Sequence, residues 1–501
     1  MPFDTMPTMP PATLDPEDWD QLRQQGHRML DDMLDYLQTL RERPVWQPAP
    51  ASARAAFQQP LPVHGSALAD AHSTFMRQIL PYAVGNAHPG FFGWVHGGGT
   101  PVGMLAEMLA AGLNANVGGR DQIPVEVERQ ITRWMAQLFG FPDTAGGLFV
   151  TGTSTANFIA LLVARVGKLG VAVRAEGLAD NAAAGKLVAY TSAGAHGCIA
   201  QAMELAGFGS AALRKIPMNA QFQLDAALLE QAIAADLAQG LQPFFIAATV
   251  GSVDVGAIDD LPRLAAIARR HQLWLHVDGA YGALAMLSPE LAPLLNGIEL
   301  ADSLAFDFHK WGQVPYDAGF ILVRDGELQR QTFAAPAAYL RRDTRGMGAG
   351  SPWPCDFGPD LSRGFRALKT WFTLQVYGTE KLGQVIAETC ALARYLEQRV
   401  AALAQLELLA PVALNIVCFR YRHHGADAEI DRFNAELVAD LQESGVAAPS
   451  LTTIAGQVAI RAAIVNHRSG RADIDAMLAA LLALAEARIA AAPAPSMTHL
   501  T

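Results

Sequence analysis

Short apolar segments alternate with amphipathic helical segments from about residue 100 to residue 330, and no other feature constrains the fold of this chain as strongly. This alternation favours a largely parallel sheet covered by helices on both faces. Ligands of such sheets bind at the carboxyl ends of the strands, so the residues that follow each strand carry the functional prediction. The predicted strands are 147–150, 186–191, 244–249, 273–277, 304–308 and 320–323.

The sequence before this region predicts an N-terminal helical arm, which we assign to residues 1–95. Asp15 is a candidate helix cap, and apolar residues at helical spacing follow it as far as Pro44. A segment rich in Pro, Ala and Gln, 48–62, is predicted to be an extended connector. Such an arm either embraces another subunit or docks on its own chain, and the sequence leaves both possibilities open.

The remaining residues predict a large domain, a smaller domain and a tail. We assign residues 96–370 to the large domain and 371–490 to a small α+β domain, with strands at 414–419 and 457–464. A loop rich in glycine, 341–357, has the length of a lid and is otherwise an ordinary surface loop. Residues 491–501, rich in Ala and Pro, are predicted to be a loose tail.

Composition excludes several classes of protein. The 501 residues include 37 Lys and Arg against 48 Asp and Glu, and the net charge of −11 opposes binding to nucleic acid or anionic membranes. The longest apolar run near the C-terminus, 476–485, is shorter than the roughly 20 residues that a membrane span needs. Four cysteines without a C-x-x-C pair predict neither a disulfide framework nor a zinc site. The first residues match no secretory signal, so we expect a globular cytoplasmic protein without a metal.

Chemically useful residues follow several predicted strands. The turn 151–154, Thr-Gly-Thr-Ser, suits a phosphate at a helix N-terminus, although such residues are also ordinary caps. His196 follows the next strand, where a lone histidine is more often structural. Asp278 ends a strongly apolar strand and needs a buried cationic partner. Lys310 could attack a carbonyl group, or it is a rim residue with its charge in water.

The order of these residues favours pyridoxal 5′-phosphate (PLP) as the cofactor. PLP requires an anion cradle, a group that stacks on its ring, an acid that keeps its ring nitrogen protonated, and an amine that forms a Schiff base. The turn at 151–154, His196, Asp278 and Lys310 supply these parts in that order.

Motifs across most of residues 85–380 strengthen this interpretation, because the chain resembles the group II PLP-dependent amino-acid decarboxylases, in the branch of aromatic-L-amino-acid decarboxylase. The resemblance implies a fold of type I, α/β with a mostly parallel central sheet, and a homodimer whose pocket is completed across the interface. The shared motifs are His88-Pro89-Gly90-Phe91-Phe92-Gly93, Thr153-Ser154, Ala195-His196, Thr249-Val250-Gly251-Ser252, His276-Val277-Asp278-Gly279-Ala280-Tyr281, Leu295-Asn296-Gly297, Ala301-Asp302-Ser303, His309-Lys310-Trp311 and Phe365-Arg366-Ala367-Leu368-Lys369.

The resemblance also implies a role for individual residues. Lys310 would bind PLP as a Schiff base, Asp278 would pair with the pyridinium nitrogen, and His196 and Ala280 would cover the two ring faces. Tyr339, reached without gaps from Lys310, would donate the proton that completes decarboxylation. The residues expected around the phosphate are Thr153, Ser154, Asp307 and His309.

The expected substrate pocket departs from the animal aromatic decarboxylases. Trp94 keeps an aromatic wall, but Val95 and His96 stand where those relatives have an aromatic residue and proline. Asn116 replaces an apolar residue of the neighbouring loop, and Ser362 stands where relatives vary between Gly and Ser.

We therefore predict decarboxylation of an aromatic L-amino acid to its amine and CO2. Three alternatives remain open: decarboxylation of histidine or of an acidic or diamino acid, an aldehyde synthase on the same fold, and, less favoured, a PLP-fold binding protein without activity. The presence of both Tyr339 and His196 favours simple decarboxylation, because the related aldehyde synthases tend to depart at one of these positions.

Overall fold

The computed structural model describes residues 13–179, 181–334 and 343–491. The chain divides into two compact units. The first contains residues up to 43 together with 47–83, and the second contains 44–46 and the residues from 84 onward. The helices of the first unit are α1 (Trp19–Gln38), α2 (Ala51–Ala55) and α3 (Leu68–Thr74).

The arm differs from its prediction at both ends of α1. Asp18, not Asp15, caps the helix, because its Oδ1 accepts the backbone N–H groups of Asp20 and Gln21 at 2.9 Å each. The helix ends at Gln38, well before Pro44, and one turn of 3-10 helix follows. The predicted extended connector contains α2, since alanine favours helix directly after Pro50.

A seven-stranded sheet organises the second unit, in the order β2-β8-β7-β6-β5-β3-β4. Strands β3 to β7 pair in parallel, whereas β8 is antiparallel to both β2 and β7. The mostly parallel α/β sheet expected for fold type I is therefore confirmed. The strands are β2 (Gly146–Val150), β3 (Leu187–Ser192), β4 (Leu213–Ile216), β5 (Gln242–Thr249), β6 (Trp274–Asp278), β7 (Ser303–Asp307) and β8 (Gly319–Val323).

The central strands are buried along their whole length, which explains their continuous apolar sequences. Each of the six predicted strands lies within two residues of its observed bounds, and the edge strand β4 was missed. The helices before and between the strands are α4 (Pro101–Leu113), α5 (Ile123–Leu138), α6 (Thr153–Leu169), α7 (Val173–Glu176), α8 (Cys198–Leu205), α9 (Ala226–Ala238), α10 (Leu261–His271) and α11 (Gly326–Phe333).

A second sheet has the order β1-β11-β12-β10-β9 and a separate hydrophobic core. Its strands are β1 (Phe91–Phe92), β9 (Leu406–Leu408), β10 (Ile416–Tyr421), β11 (Ala448–Ile454) and β12 (Gln457–Ala463), and the neighbouring helices are α12 (Arg366–Ala402), α13 (Asp427–Glu443) and α14 (Arg471–Ala491). Helix α12 changes direction at Gly378, whose φ of 71° suits glycine. Among the residues that the structure describes, no helix is long and apolar enough to span a membrane.

Candidate active site

A cavity of about 410 Å³ opens at the carboxyl ends of β5, β6 and β7. All residues predicted to contact the cofactor line it, together with three of the predicted substrate residues. The parallel sheet causes this convergence, because it brings the ends of strands distant in sequence to one edge. The predicted residues at the cavity are Trp94, Val95, His96, Thr153, Ser154, His196, Asp278, Ala280, Asp307, His309 and Lys310.

The N-terminus of α6 forms one wall and has the properties of an anion site. Gly152 precedes the helix with extended backbone and, as a glycine, offers no side chain that could cap the first turn. The Oγ1 atom of Thr153 is buried without a hydrogen-bond partner among the described residues. A Cβ atom at Gly319 would lie 2.4 Å from the Cα of Gly152, so glycine permits this turn to pack on β8. A free hydroxyl and a helix N-terminus suit the phosphate of PLP.

The Lys310 amine lies beside the Asp307 carboxylate, with 3.1 Å between Nζ and Oδ2. Asp307 is buried, and its Oδ1 accepts the backbone N–H of Thr153 at 2.8 Å. This carboxylate therefore links the lysine to the turn that begins α6. His309 accepts the backbone N–H of Ala318 through Nδ1 at 2.9 Å. Burial lowers the pKa of His309, although Asp307 opposes the shift, so the ring is neutral with its proton on Nε2.

Asp278 is only 5% exposed at the end of β6. Its Oδ1 accepts the backbone N–H of Ala280 at 3.1 Å, and its Oδ2 accepts the side-chain N–H of Asn157 at 2.9 Å. Burial raises the pKa of this carboxyl group, and the hydrogen bonds and the Lys310 charge oppose the shift. A buried carboxylate at a cavity wall suits a cationic ligand atom such as a protonated pyridine nitrogen.

Three aromatic side chains line another part of the cavity, which we call the aromatic end. The rings of Trp94 and His96 stack with centroids 5.7 Å apart, and the edge of Tyr316 meets His96 at 5.8 Å. Tyr316 also lies 4.3 Å from the ring of His309. Burial lowers the pKa of His96, with a smaller effect from the Lys310 charge, so this imidazole is neutral near pH 7.

Two of the predicted substrate residues, Asn116 and Ser362, lie close together and do not line this cavity. Asn116 Oδ1 accepts the backbone N–H groups of Gly118 and Arg363, each at 3.0 Å. Ser362 is exposed in the segment that Asn116 holds. A Cβ atom at Gly118 would lie 1.9 Å from the carbonyl oxygen of Leu361, so glycine is required where the two segments meet. Tyr339 lies outside the described residues, as do 341 and 342 of the predicted lid.

The sequence reasoning missed three residues at or behind the cavity. Tyr316 carries no motif, because it lies in an irregular loop after Lys310. Asn157 comes shortly after the turn 151–154 and has no motif of its own. It lies one helical turn after Thr153, on the same side of α6. Buried Arg461 comes from the distant strand β12, and its guanidinium donates to the carbonyl groups of Trp94 and Val253, which line the cavity.

The geometry thus contains an anion cradle, a buried acid and a lysine at one edge of the sheet, which are the parts of a PLP-dependent enzyme. The profile of the pyridoxal-dependent decarboxylase conserved domain matches residues 50–422. The chain belongs to this family, and it is a PLP-dependent amino-acid decarboxylase.

Individual relatives cover almost the whole chain. Aromatic-L-amino-acid decarboxylase of Bacillus atrophaeus is 31% identical over 478 residues, which are 93% of this chain and 96% of that protein. The 4-hydroxyphenylacetaldehyde synthase of Rhodiola rosea is 30% identical over 88% of this chain and 90% of that protein. The crystal structure of Oryza sativa TDC with PLP and tryptamine has a TM-score of 0.87 at 26% identity, and the match covers 95% of this chain and all of that one.

Proposed function

We propose that this enzyme decarboxylates an aromatic L-amino acid and releases its amine and CO2. The observation that carries the proposal is the aromatic end of the cavity, where Trp94, His96 and Tyr316 present ring faces and edges. Among the described lining residues, the only carboxylates and ammonium group are Asp278, Asp307 and Lys310, at the cofactor end. An acidic or diamino side chain therefore lacks a partner of opposite charge at the aromatic end.

Within this proposal each residue at the cofactor end has a separate task. Lys310 attaches the cofactor through its amine, and Asp278 holds the proton on the ring nitrogen. His196 and Ala280 cover the ring faces. Thr153, Ser154 and His309 donate to the phosphate, whereas Asp307, which accepts the N–H of Thr153, orients the turn. PLP, when bound, supplies an electron sink for the breaking bond between Cα and the carboxylate.

The proton required at Cα after loss of CO2 is assigned to Tyr339. This assignment depends on the resemblance alone, because Tyr339 lies outside the described residues. A phenol in this role would act as a general acid, and closure of the site would exclude water during the proton transfer. The length and glycine content of the segment 341–357 make it the proposed lid.

We also propose a second kind of substrate, an amino acid whose ring can form a hydrogen bond. No hydrogen bond between the His96 ring and other described residues is present, so a neutral imidazole faces the cavity. Histidine is therefore the second candidate substrate. Separately, the reaction of an aldehyde synthase is the second candidate reaction. Histidine decarboxylase of Drosophila melanogaster is among the relatives, at 31% identity.

A screen of L-amino acids with the purified holoenzyme tests the substrate class. We expect CO2 and amine in equal amounts from tyrosine, Dopa, tryptophan or phenylalanine, with at least about tenfold lower kcat/KM for glutamate and diaminobutyrate. Oxygen uptake, hydrogen peroxide and aldehyde are measured in the same reactions. Preferred turnover of an acidic or diamino acid would overturn the substrate class, and aldehyde in place of amine would overturn simple decarboxylation.

We also propose a homodimer whose pocket is completed by the segment around Asn116 and Ser362. Two observations support it. The pair lies outside the cavity of its own chain, and helix α4, directly before Asn116, exposes a row of apolar side chains. Such an exposed apolar face is typical of a protein interface. The exposed residues are Leu105, Met108, Leu109 and Leu113.

The double variant Met108→Glu, Leu109→Glu tests the dimer. We expect wild type to have twice the chain mass of 53.5 kDa in light scattering, and the variant to be monomeric with less than about 5% of wild-type activity, because two buried charges oppose association. Leu237→Glu is the matched control, since Leu237 is similarly exposed on α9. A monomeric wild type, or a monomeric variant with full activity, would contradict the shared pocket.

A reducing cytoplasmic compartment is the last part of the proposal. None of the four cysteines, all of which the structure describes, forms a disulfide, and Cys198, Cys390 and Cys418 are buried. Burial raises the pKa of each of these three thiols to about 12, so they remain protonated and unreactive.

A further inference from the structure

A chain of buried hydrogen bonds runs behind the cavity and ends on Asp278. Trp274 Nε1 lies 2.8 Å from Ser303 Oγ, which lies 2.8 Å from His276 Nδ1. His276 Nε2 lies 2.8 Å from Asn157 Oδ1, and Asn157 Nδ2 lies 2.9 Å from Asp278 Oδ2. The connecting side chains of Ser303, His276 and Asn157 are at most 1% exposed. We call these three residues, with Trp274, the relay.

The direction of every hydrogen bond in the relay follows from its two ends. The indole N–H of Trp274 can only donate, so Ser303 Oγ accepts from it and still has its own proton to donate to His276 Nδ1. At the other end, Asn157 Nδ2 faces the carboxylate of Asp278 and the sulfur of Cys198, at 2.9 and 3.2 Å. Both are acceptors, so the amide oxygen of Asn157 must face His276.

The protonation of His276 agrees with this direction. Burial lowers the pKa of His276 to about 3, so the ring is neutral and carries one proton. Since Nδ1 accepts from Ser303, that proton lies on Nε2 and is donated to Asn157. One face of the ring stacks on Phe245, with centroids 5.7 Å apart, which helps to fix the ring orientation. All four hydrogen bonds therefore point toward Asp278.

We propose that the relay is a positioning device that holds the Asp278 carboxylate ionised and oriented toward the ring nitrogen of the cofactor. Each donor polarises the next group, so the last N–H of Asn157 is a stronger donor than an isolated amide. This donor favours the charged carboxylate and opposes the effect of burial. Asn157, His276 and Ser303 do not touch the reacting atoms and act only through Asp278. The inference rests on the proposed pairing of Asp278 with the ring nitrogen.

Binding of two cofactors to the apoenzyme tests the relay without any measurement of turnover. The first is PLP, and the second is the analogue in which C–H replaces the ring nitrogen. Absorbance or fluorescence titration gives the dissociation constant of each, and the ratio of the two constants measures the preference for PLP. We expect wild type to prefer PLP. Asn157→Leu removes a hydrogen bond to a charged group and should reduce this preference about 10- to 100-fold. Ser303→Ala acts at a distance and should reduce it about 3- to 10-fold.

Thr191→Val is the matched control for the loss of a buried strand hydroxyl. Thr191 Oγ1 donates to the carbonyl group of Ala247, outside the relay, so this variant should keep the wild-type preference. Equal weakening of both ligands in the relay variants, or an unchanged preference, would overturn the relay. If Asn157→Leu does not fold, the milder Ser303→Ala decides alone. If wild type itself shows no preference for PLP, the proposed pairing of Asp278 fails instead.

Discussion

Replacing Lys310 with arginine is expected to lower kcat/KM by at least about 10³-fold, because the guanidinium cannot form the covalent link to PLP that we propose for the primary amine. Arginine preserves a positive charge beside Asp307, whose carboxylate lies 3.1 Å from the lysine amine in wild type. Lys310→Ala should be equally inactive, but it also leaves this buried carboxylate without its ammonium partner. Amine release by the purified variants measures the loss, and thermal unfolding separates it from misfolding.

Reduction with borohydride provides an independent measurement of the same prediction. Wild type should gain the mass of reduced PLP on the peptide that contains Lys310, and neither variant should gain it at any lysine. Lys369 is a natural internal control, since it is buried and its amine lies 2.8 Å from the Glu107 carboxylate. Turnover by Lys310→Arg, or PLP fixed to another lysine, would contradict the assignment of Lys310.

The sequence predicted the sheet well because each central strand is buried on both faces and therefore reads as an apolar run. The strand at 320–323 is an example, since all of its side chains are buried. Prediction was weaker at the surface of the molecule. The edge strand Leu213–Ile216 has only four residues, and the adjacent charged residues Arg214 and Lys215 interrupt its apolar pattern, so it gives little signal. Asp15 and Asp18 both precede α1 and are both suitable cap residues, and only the geometry selects Asp18.

The cofactor end of the site could be predicted because its residues follow strands directly. Asp278 and Asp307 are the last residues of β6 and β7, and parallel strands end at one edge of a sheet. Tyr316 and Arg461 could not be found in this way. Tyr316 depends on the path of a loop, and Arg461 reaches the cavity from the second sheet, so tertiary packing alone brings them there.

Replacing Asp278 with asparagine is expected to lower kcat about 10²- to 10³-fold while KM changes less than about threefold. Asparagine is nearly isosteric and can still accept the N–H of Asn157, but it cannot supply the negative charge that we propose keeps the ring nitrogen protonated. Asp278 lies at the cofactor end, so the aromatic end, which we propose binds the substrate side chain, should stay intact. Steady-state kinetics at saturating PLP measures both constants, and the apoenzyme should also bind PLP more weakly.

Asp259→Asn is the matched control for removal of a buried carboxylate at the same edge of the sheet. Asp259 accepts the backbone N–H groups of Leu224 and Thr249, each at 2.7 Å, and it does not line the cavity. Asparagine keeps only one acceptor oxygen, so one of these hydrogen bonds is lost, which should lower the free energy of unfolding by about 1–3 kcal/mol and leave kcat of the folded enzyme near the wild-type value. Equal kcat in Asp278→Asn and wild type would exclude a charge requirement at the ring nitrogen. Equal losses of kcat in the two variants would assign the effect to folding instead.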